Sequence, residues 1–292
     1  MKILVTGSNG QLGNELKILA SQYPSFEFLF TDIGELDITD EKAIDVLVRQ
    51  ENHAAIINCA AYTAVDKAEQ EEKMAFLINA KATGNLAKVA TRYNALLIHV
   101  STDYIFGGSG NRPYSEEDNK KPVSVYAKSK YAGEQEISNH SKNALILRTS
   151  WLYSEFGNNF VKTIMKYGQE RGKLNVVFDQ VGCPTYAYDL AKAILEILRI
   201  NNIPEGVSVY HYANEGATSW YDFAKAIVEI SGINCRINPI ETREYPLPAV
   251  RPYYSVLNKA KIKQTFNIEI PYWRDSLKVC IGKMKELLIR EK

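Results

Sequence analysis

Along the first half of the chain, short apolar runs alternate with longer stretches of amphipathic spacing. Ile3-Leu4-Val5 predicts a strand, followed by a helix near 11–22. Phe26 to Phe30 predicts a second strand. The helix expected near 40–51 opens on Asp40 and Glu41, acids that suit the positive end of a helix. Ala54 to Cys59 reads as a third strand, 71–93 carries helical periodicity, and Ala95 to Val100 reads as a fourth strand. Gly107, Gly108, Gly110, Pro113 and Pro122 make 102–122 a long loop. A helix near 124–140 and a strand from Ala144 to Arg148 complete the series.

Strands that are apolar throughout must be covered on both faces, and their alternation with helices predicts a parallel sheet. The fold class expected is α/β, a Rossmann-like doubly wound parallel sheet with a smaller mixed α/β substrate-binding domain. Beyond residue 150 the regularity weakens. Helices near 158–171, 186–199, 218–231 and 272–290 alternate with strand candidates 174–178 and 207–212, and Tyr245 to Pro252 is Pro-rich and irregular. The expected division places a dinucleotide-binding domain in 1–150, with a return segment at about 173–200. The substrate domain takes 151–172 and 201–292.

A length of 292 residues leaves ample room for a core, and the formal net charge of +1 argues against a nucleic-acid partner, which needs a dense basic face. Cys59, Cys183, Cys235 and Cys280 are scattered without metal-ligand spacing and read as reduced thiols. The N-terminus enters a strand at Lys2, leaving no signal segment, and no apolar run reaches membrane-spanning length. The expectation is a cytoplasmic protein with no membrane partner.

Gly7, Gly10 and Gly13 follow the first strand and open the first helix. In that context Gly7 permits the turn, Gly10 lets a pyrophosphate approach the backbone, and Gly13 lets helix and strand pack closely. Asp32 ends the second strand, where a carboxylate either accepts hydrogen bonds from an adenosine ribose, favouring NAD(H), or caps its own turn. Asp37 and Ile38 are candidates to flank an adenine. Ala61, Tyr62 and Thr63, after the third strand, fall beside the ribose and phosphates.

Ser101-Thr102-Asp103 ends the fourth strand, at the carboxyl edge where open α/β sheets bind ligands. On the next helix Tyr126 and Lys130 stand four residues apart and so share a face. A hydroxyl, a tyrosine and a lysine converging beside a dinucleotide make a carbonyl/alcohol redox site. Thr102, alone or with Ser101, steadies the substrate oxygen; Tyr126 exchanges the proton; Lys130 lowers the tyrosine pKa and holds the nicotinamide ribose. The pairs Tyr188/Lys192 and Tyr221/Lys225 repeat the spacing on amphipathic helices that follow no hydroxyl-bearing strand end, and read as structural.

These motifs resemble the extended short-chain dehydrogenase/reductases. Ala64 to Glu69, Arg148 to Tyr153, Gly157 to Phe160, Asp179 to Thr185 and Arg251 to Ser255 narrow the resemblance to the dTDP-4-dehydrorhamnose reductase family, over essentially the whole chain. The resemblance implies a catalytic set of Thr102, Tyr126 and Lys130. It adds Gln11 and Leu12 to the cofactor contacts at Asp32, Asp37, Ile38, Ala61, Tyr62 and Thr63. Val65, Asp103 and Trp151 fall on the sugar side. It further implies NADPH or NADH as cofactor, a dTDP-linked 6-deoxy-4-keto sugar as substrate, and a homodimer.

Arg251 suits a substrate diphosphate, since its planar fork matches phosphate oxygens, or else a surface ion pair. Trp151 serves either packing or the substrate, while Trp220 and Tyr221 read as core. Ala127 stands where many relatives carry glycine, and Tyr62 where some carry histidine. Some relatives hold a divalent ion between subunits through glutamates. Glu15 matches one of these, but Tyr188 stands where another acid is expected, so no metal is assigned. Rival readings are a nucleotide-sugar epimerase or dehydratase, and a non-catalytic subunit resembling the regulatory subunit of methionine adenosyltransferase.

Overall fold

The computed structural model describes residues 1–290. From the N-terminus it runs β1 Lys2–Thr6, α1 Gln11–Ala20, β2 Glu27–Phe30, α2 Glu41–Glu51 and β3 Ala55–Asn58. Helices α3 Val65–Ala68, α4 Glu72–Phe76 and α5 Thr83–Arg92 lead to β4 Leu96–Thr102, α6 Val125–His140 and β5 Ala144–Thr149. There follow β6 Leu152–Tyr153, α7 Phe160–Arg171, β7 Lys173–Val177, β8 Val181–Gly182, β9 Thr185–Tyr186 and α8 Ala187–Ile200. The chain ends through β10 Val207–His211, β11 Thr218–Ser219, α9 Trp220–Ser231, β12 Arg236–Ile240, α10 Ala260–Phe266 and α11 Trp273–Arg290.

Six strands form one sheet in the order β10-β5-β4-β3-β1-β2. Every pairing in it is parallel. Strands β1, β3 and β5 are apolar and almost wholly buried, as a sheet sandwiched between helices requires. On one face Ile3, Val5, Ile57 and Leu145 pack against Leu12, Leu16 and Ile194 of α1 and α8. On the other, Leu4, Ile56, Leu97 and Ile146 pack against Ile44, Leu86 and Ile137 of α2, α5 and α6. The chain reverses direction across the sheet between β1 and β3, so their carboxyl ends open a crevice.

A second core, with Val161, Phe223, Ile227 and Leu277, joins α7, α9 and α11 above that edge. The expected division differs from this structure at two places. Strand β7, placed with the first domain, pairs in parallel with β12 beside the second core. Strand β10, placed with the second domain, completes the main sheet on β5. Both pairings join segments more than fifty residues apart, so local periodicity carries no trace of them.

Helix α6 is the element that carries the chemistry. Ser124 caps it by accepting a hydrogen bond from the Ala127 N–H, 3.2 Å away. Its buried residues include Ser129, Lys130 and Glu134, polar groups that a simple amphipathic helix would turn to water. Among the described residues no helix is long and apolar enough to cross a membrane.

Candidate active site

The glycine turn is built by close approach. A Cβ on Gly7, whose φ is +66°, would stand 2.5 Å from the Ala60 backbone nitrogen, and one on Gly13 would stand 2.4 Å from Ser8 Cα. Only glycine lets the turn lie this near the end of β3 and lets α1 pack onto it. Gly10 is the N-cap of α1 and offers no side chain, so the first N–H groups of the helix are left for an anion.

Asp32 accepts from the Asn9 N–H and from its own neighbour Ile33, each at 2.9 Å, and so braces the glycine turn. Lys17 donates to Asn9 Oδ1 at 2.9 Å, placing a positive charge at the same turn. Asp37 accepts from the N–H and hydroxyl of Thr39 at 2.8 Å, while Ile38 is buried in the core below the sheet. Asp37 thus braces its own turn while staying exposed at the surface.

Above the carboxyl ends of β1, β3, β4 and β5 lies a cavity of about 710 Å³. Its walls gather Gly7, Gly10, Gln11, Leu12, Ala61, Thr63, Val65, Thr102, Asp103, Tyr126, Lys130, Trp151 and Arg251, residues drawn from both ends of the chain. Gly13, Asp32, Asp37, Ile38 and Tyr62 are outside this lining. The Tyr62 hydroxyl turns away to donate to Glu71 at 2.5 Å.

Burial pushes the Tyr126 phenol up to about 12, the neighbouring Thr102 hydroxyl pulls it down, and the Asp103 charge adds to the rise. Lys130, expected to lower this value, points instead into the sheet. Its Nζ donates to the Val100 carbonyl at 2.6 Å and lies 3.2 Å from His99 Nε2. Burial brings Lys130 down to about 8. Asp103 is buried, with one carboxylate oxygen unpaired among the described residues, and burial lifts it to about 7 against the Ser255 and Thr102 hydrogen bonds.

Ser101, a candidate partner for the substrate oxygen, is committed elsewhere. Its hydroxyl donates to Glu134 at 2.5 Å, and Glu134 is held by Arg148 through contacts of 3.0 and 2.8 Å. This buried fork fixes α6 against β4 and β5.

Asn79 belongs to no motif, yet it ties the site together. It sits in a π-helical turn, Leu77–Ala82, between α4 and α5. Its amide bonds both the N–H (2.8 Å) and the carbonyl (3.0 Å) of Tyr62 and donates to Ser129 at 3.0 Å. The loop after β3 is thereby fixed to the helix of Tyr126.

One wall is aromatic. Trp151 takes φ +47°, a left-handed conformation that bulky residues rarely adopt. Its ring stacks on Trp220 at 3.5 Å, and Phe160 packs on the far side of Trp220 at 4.5 Å. Trp220, expected in the core, thus separates this cavity from a second of about 950 Å³ that includes Tyr167, Lys173, Gln180 and Tyr245. Arg251 lines both cavities. Asp66 grips its guanidinium through contacts of 2.9 and 2.6 Å.

Glu15 lies outside the site, fully buried on α1 with neither carboxyl oxygen hydrogen-bonded among the described residues. Burial and the neighbouring Glu155 raise it to about 9. Tyr188 stacks on Tyr186 beneath the Lys283 ammonium. No cluster of three or more His, Cys, Asp or Glu side chains is placed to hold a metal among the described residues.

Known proteins resemble this chain over nearly its whole length. A dTDP-4-dehydrorhamnose reductase of Aggregatibacter actinomycetemcomitans is 40% identical over 285 residues, spanning 95% of this chain and 97% of its own. The crystal structure of a dTDP-4-dehydrorhamnose reductase from Clostridium acetobutylicum superimposes with a TM-score of 0.92 at 40% identity, covering 98% of this chain and 100% of that one. The Bacillus anthracis dTDP-4-dehydrorhamnose reductase, solved in complex with NADP, gives 0.92 at 36% identity, with 97% and 99% covered. Residues 1–286 match the RmlD substrate binding domain, and the chain belongs to that family.

Proposed function

We propose that this protein reduces the C4 keto group of dTDP-4-dehydro-L-rhamnose to give dTDP-L-rhamnose, for rhamnose-containing polysaccharides, with NADPH or NADH as reductant. The observation that carries the reading is one cavity in which Thr102, Tyr126 and Lys130 meet the glycine turn, with a second cavity on the other side of Trp220 and Arg251 in the lining of both. A sugar beside Tyr126 and a nucleoside beyond the wall would place their diphosphate near Arg251.

The residues present fit a dinucleotide. The bare N-terminus of α1 receives the pyrophosphate, Asp32 stands at the end of β2 for a ribose, and Lys17 beside Asn9 offers a charge for a 2′-phosphate. When bound, the nicotinamide supplies the hydride. Tyr126 gives its proton to the carbonyl oxygen, and the Thr102 hydroxyl steadies that oxygen as negative charge develops. Asp103 and Trp151 orient the sugar ring, and Asn79 holds the loop of Ala61 and Thr63 in register with α6. The four cysteines are free thiols, in keeping with the reducing cytoplasm where this pathway would operate.

The test is a steady-state assay of NAD(P)H absorbance with freshly made dTDP-4-keto-6-deoxy sugar, each cofactor taken in turn. Oxidation that depends on the sugar, with dTDP-L-rhamnose as product, is expected. Absence of oxidation with either cofactor would refute the reading.

A further inference from the structure

Behind the catalytic lysine lies a hydrogen-bond chain whose proton positions are determined by the backbone. Asn58 Oδ1 accepts from the Ala60 backbone N–H at 3.1 Å and from the Thr6 hydroxyl at 2.8 Å. A backbone nitrogen can only donate, so this amide orientation is unambiguous. The Asn58 Nδ2 group then faces His99 Nδ1 at 3.0 Å as a donor. His99 Nδ1 must accept, and the single proton of a neutral imidazole falls on Nε2. That proton points at Lys130 Nζ, 3.2 Å away.

An ammonium and an N–H cannot hydrogen-bond to each other, since both are donors. The contact becomes a hydrogen bond only when Lys130 gives up a proton and presents its lone pair. His99 is fully buried and Lys130 is 2% exposed, so water cannot relieve the mismatch.

We propose that Asn58 and His99 are positioning residues that make Lys130 a proton source for Tyr126, by pairing with its neutral amine and not with its ammonium. This rests on the reductase reading given above. After Tyr126 has protonated the substrate oxygen, the phenolate recovers its O–H with a proton that leaves Lys130 Nζ and passes through the cavity that both residues line. The vacated lone pair then accepts His99 Nε2–H, while Lys130 keeps its hydrogen bond to the Val100 carbonyl. No other proton moves, and His99 stays neutral.

The groups facing Lys130 leave this task to His99. Cys59 is a neutral thiol pushed up to about 12 by burial. Glu134, one turn along α6, favours the ammonium but is held by Arg148 and Ser101. Tyr126 is the acceptor itself. The depression of Lys130 by burial works in the same direction as His99, and His99 is itself held far below the usual imidazole range by burial and by Lys130.

Two measurements on the full-length protein decide the matter. Nitrogen-15 NMR of the histidine side chains, with His99→Gln for assignment, should show His99 as the neutral Nε2–H tautomer; an Nδ1–H tautomer would overturn the proposal. Asn58→Asp replaces the donor by an acceptor and reverses the tautomer, so that Nε2 accepts from the Lys130 ammonium. The alkaline limb of the kcat–pH profile should then move up by about one unit, and His99→Gln, which can offer an oxygen, should move it the same way. An active wild-type enzyme whose limb is unmoved in both variants would overturn this proposal alone. A wild-type protein inert toward the keto-sugar would overturn the reductase reading and this proposal together.

Discussion

Helices α6 and α8 each carry a tyrosine and a lysine four residues apart, and they are put to different uses. On α6, Lys130 is buried beneath Tyr126 and surrounded by His99, the Val100 carbonyl and Glu134. On α8, Lys192 is exposed to water, and Tyr188 is occupied by the Tyr186 ring and the Lys283 ammonium. Spacing delivers the pair in both helices, and both tyrosines are half-buried, but only α6 removes its lysine from water. Charge interactions that water would screen on α8 act at close to full strength on α6.

The largest effect expected from breaking this contrast is on turnover. Tyr126→Phe should lower kcat about a thousandfold while leaving the cofactor dissociation constant unchanged, whereas Tyr188→Phe should stay within about twofold; steady-state kinetics and cofactor titration check both. The support beneath α6 comes next. Arg148→Ala leaves Glu134 buried without its cation and should destabilise the fold by about 3–5 kcal/mol in urea unfolding, against less than about 0.5 kcal/mol for Lys192→Ala.

Asp103 sharpens the comparison through pH. Its carboxyl is raised to about 7 in the folded chain, so the folded state keeps a proton that the unfolded state has already released. Stability should therefore fall as pH rises from the ordinary carboxylate range toward 7 and then level off. Asp103→Asn should abolish that slope and raise stability at pH 8 by about 2 kcal/mol, while weakening substrate binding. Thermal melts at several pH values, set beside KM, test the trade. The smallest effect expected is at the aromatic wall. A Cβ on Gly182 would stand 2.7 Å from the Trp151 ring, so Gly182→Ala should displace the indole and raise the sugar KM about tenfold, with kcat changed less.

How much of this could be read without coordinates depended on the range of the interactions. The sandwiched strands and capped helices of the first half are local patterns, and the parallel sheet follows from their alternation. That Thr102, Tyr126 and Lys130 would meet at one edge of the sheet could be anticipated from the order of strand end and helix, and they line one cavity. The place of Trp220 could not: a tryptophan opening an amphipathic helix looks like core, and only its stack on Trp151 makes it a wall. Arg251 meets Asp66 across 185 positions, which no window along the chain spans. Lys130 was expected to address Tyr126 and the nicotinamide ribose, and its contacts with His99 and the Val100 carbonyl were not foreseen, because periodicity shows neighbours on a helix but not the strand beneath it. Ser101 lines the cavity as its place in the chain suggests, but its bond to Glu134, 33 positions on, was not foreseen for the same reason.

The π-helical turn at Leu77–Ala82 has a consequence for how this chain tolerates change in length. Such a turn accommodates one residue more than regular α-helix would. Removing a single residue there would restore regular winding and close the widened turn from which Asn79 reaches Tyr62 and Ser129. Asn79 would lose Tyr62 and Ser129 together, and the contact in which Gly133 leaves no room for even a methyl group beside the Asn79 carbonyl would be lost. A one-residue deletion outside the cavity lining, with every side chain of the reacting centre intact, should then lower activity as much as many substitutions within the cavity.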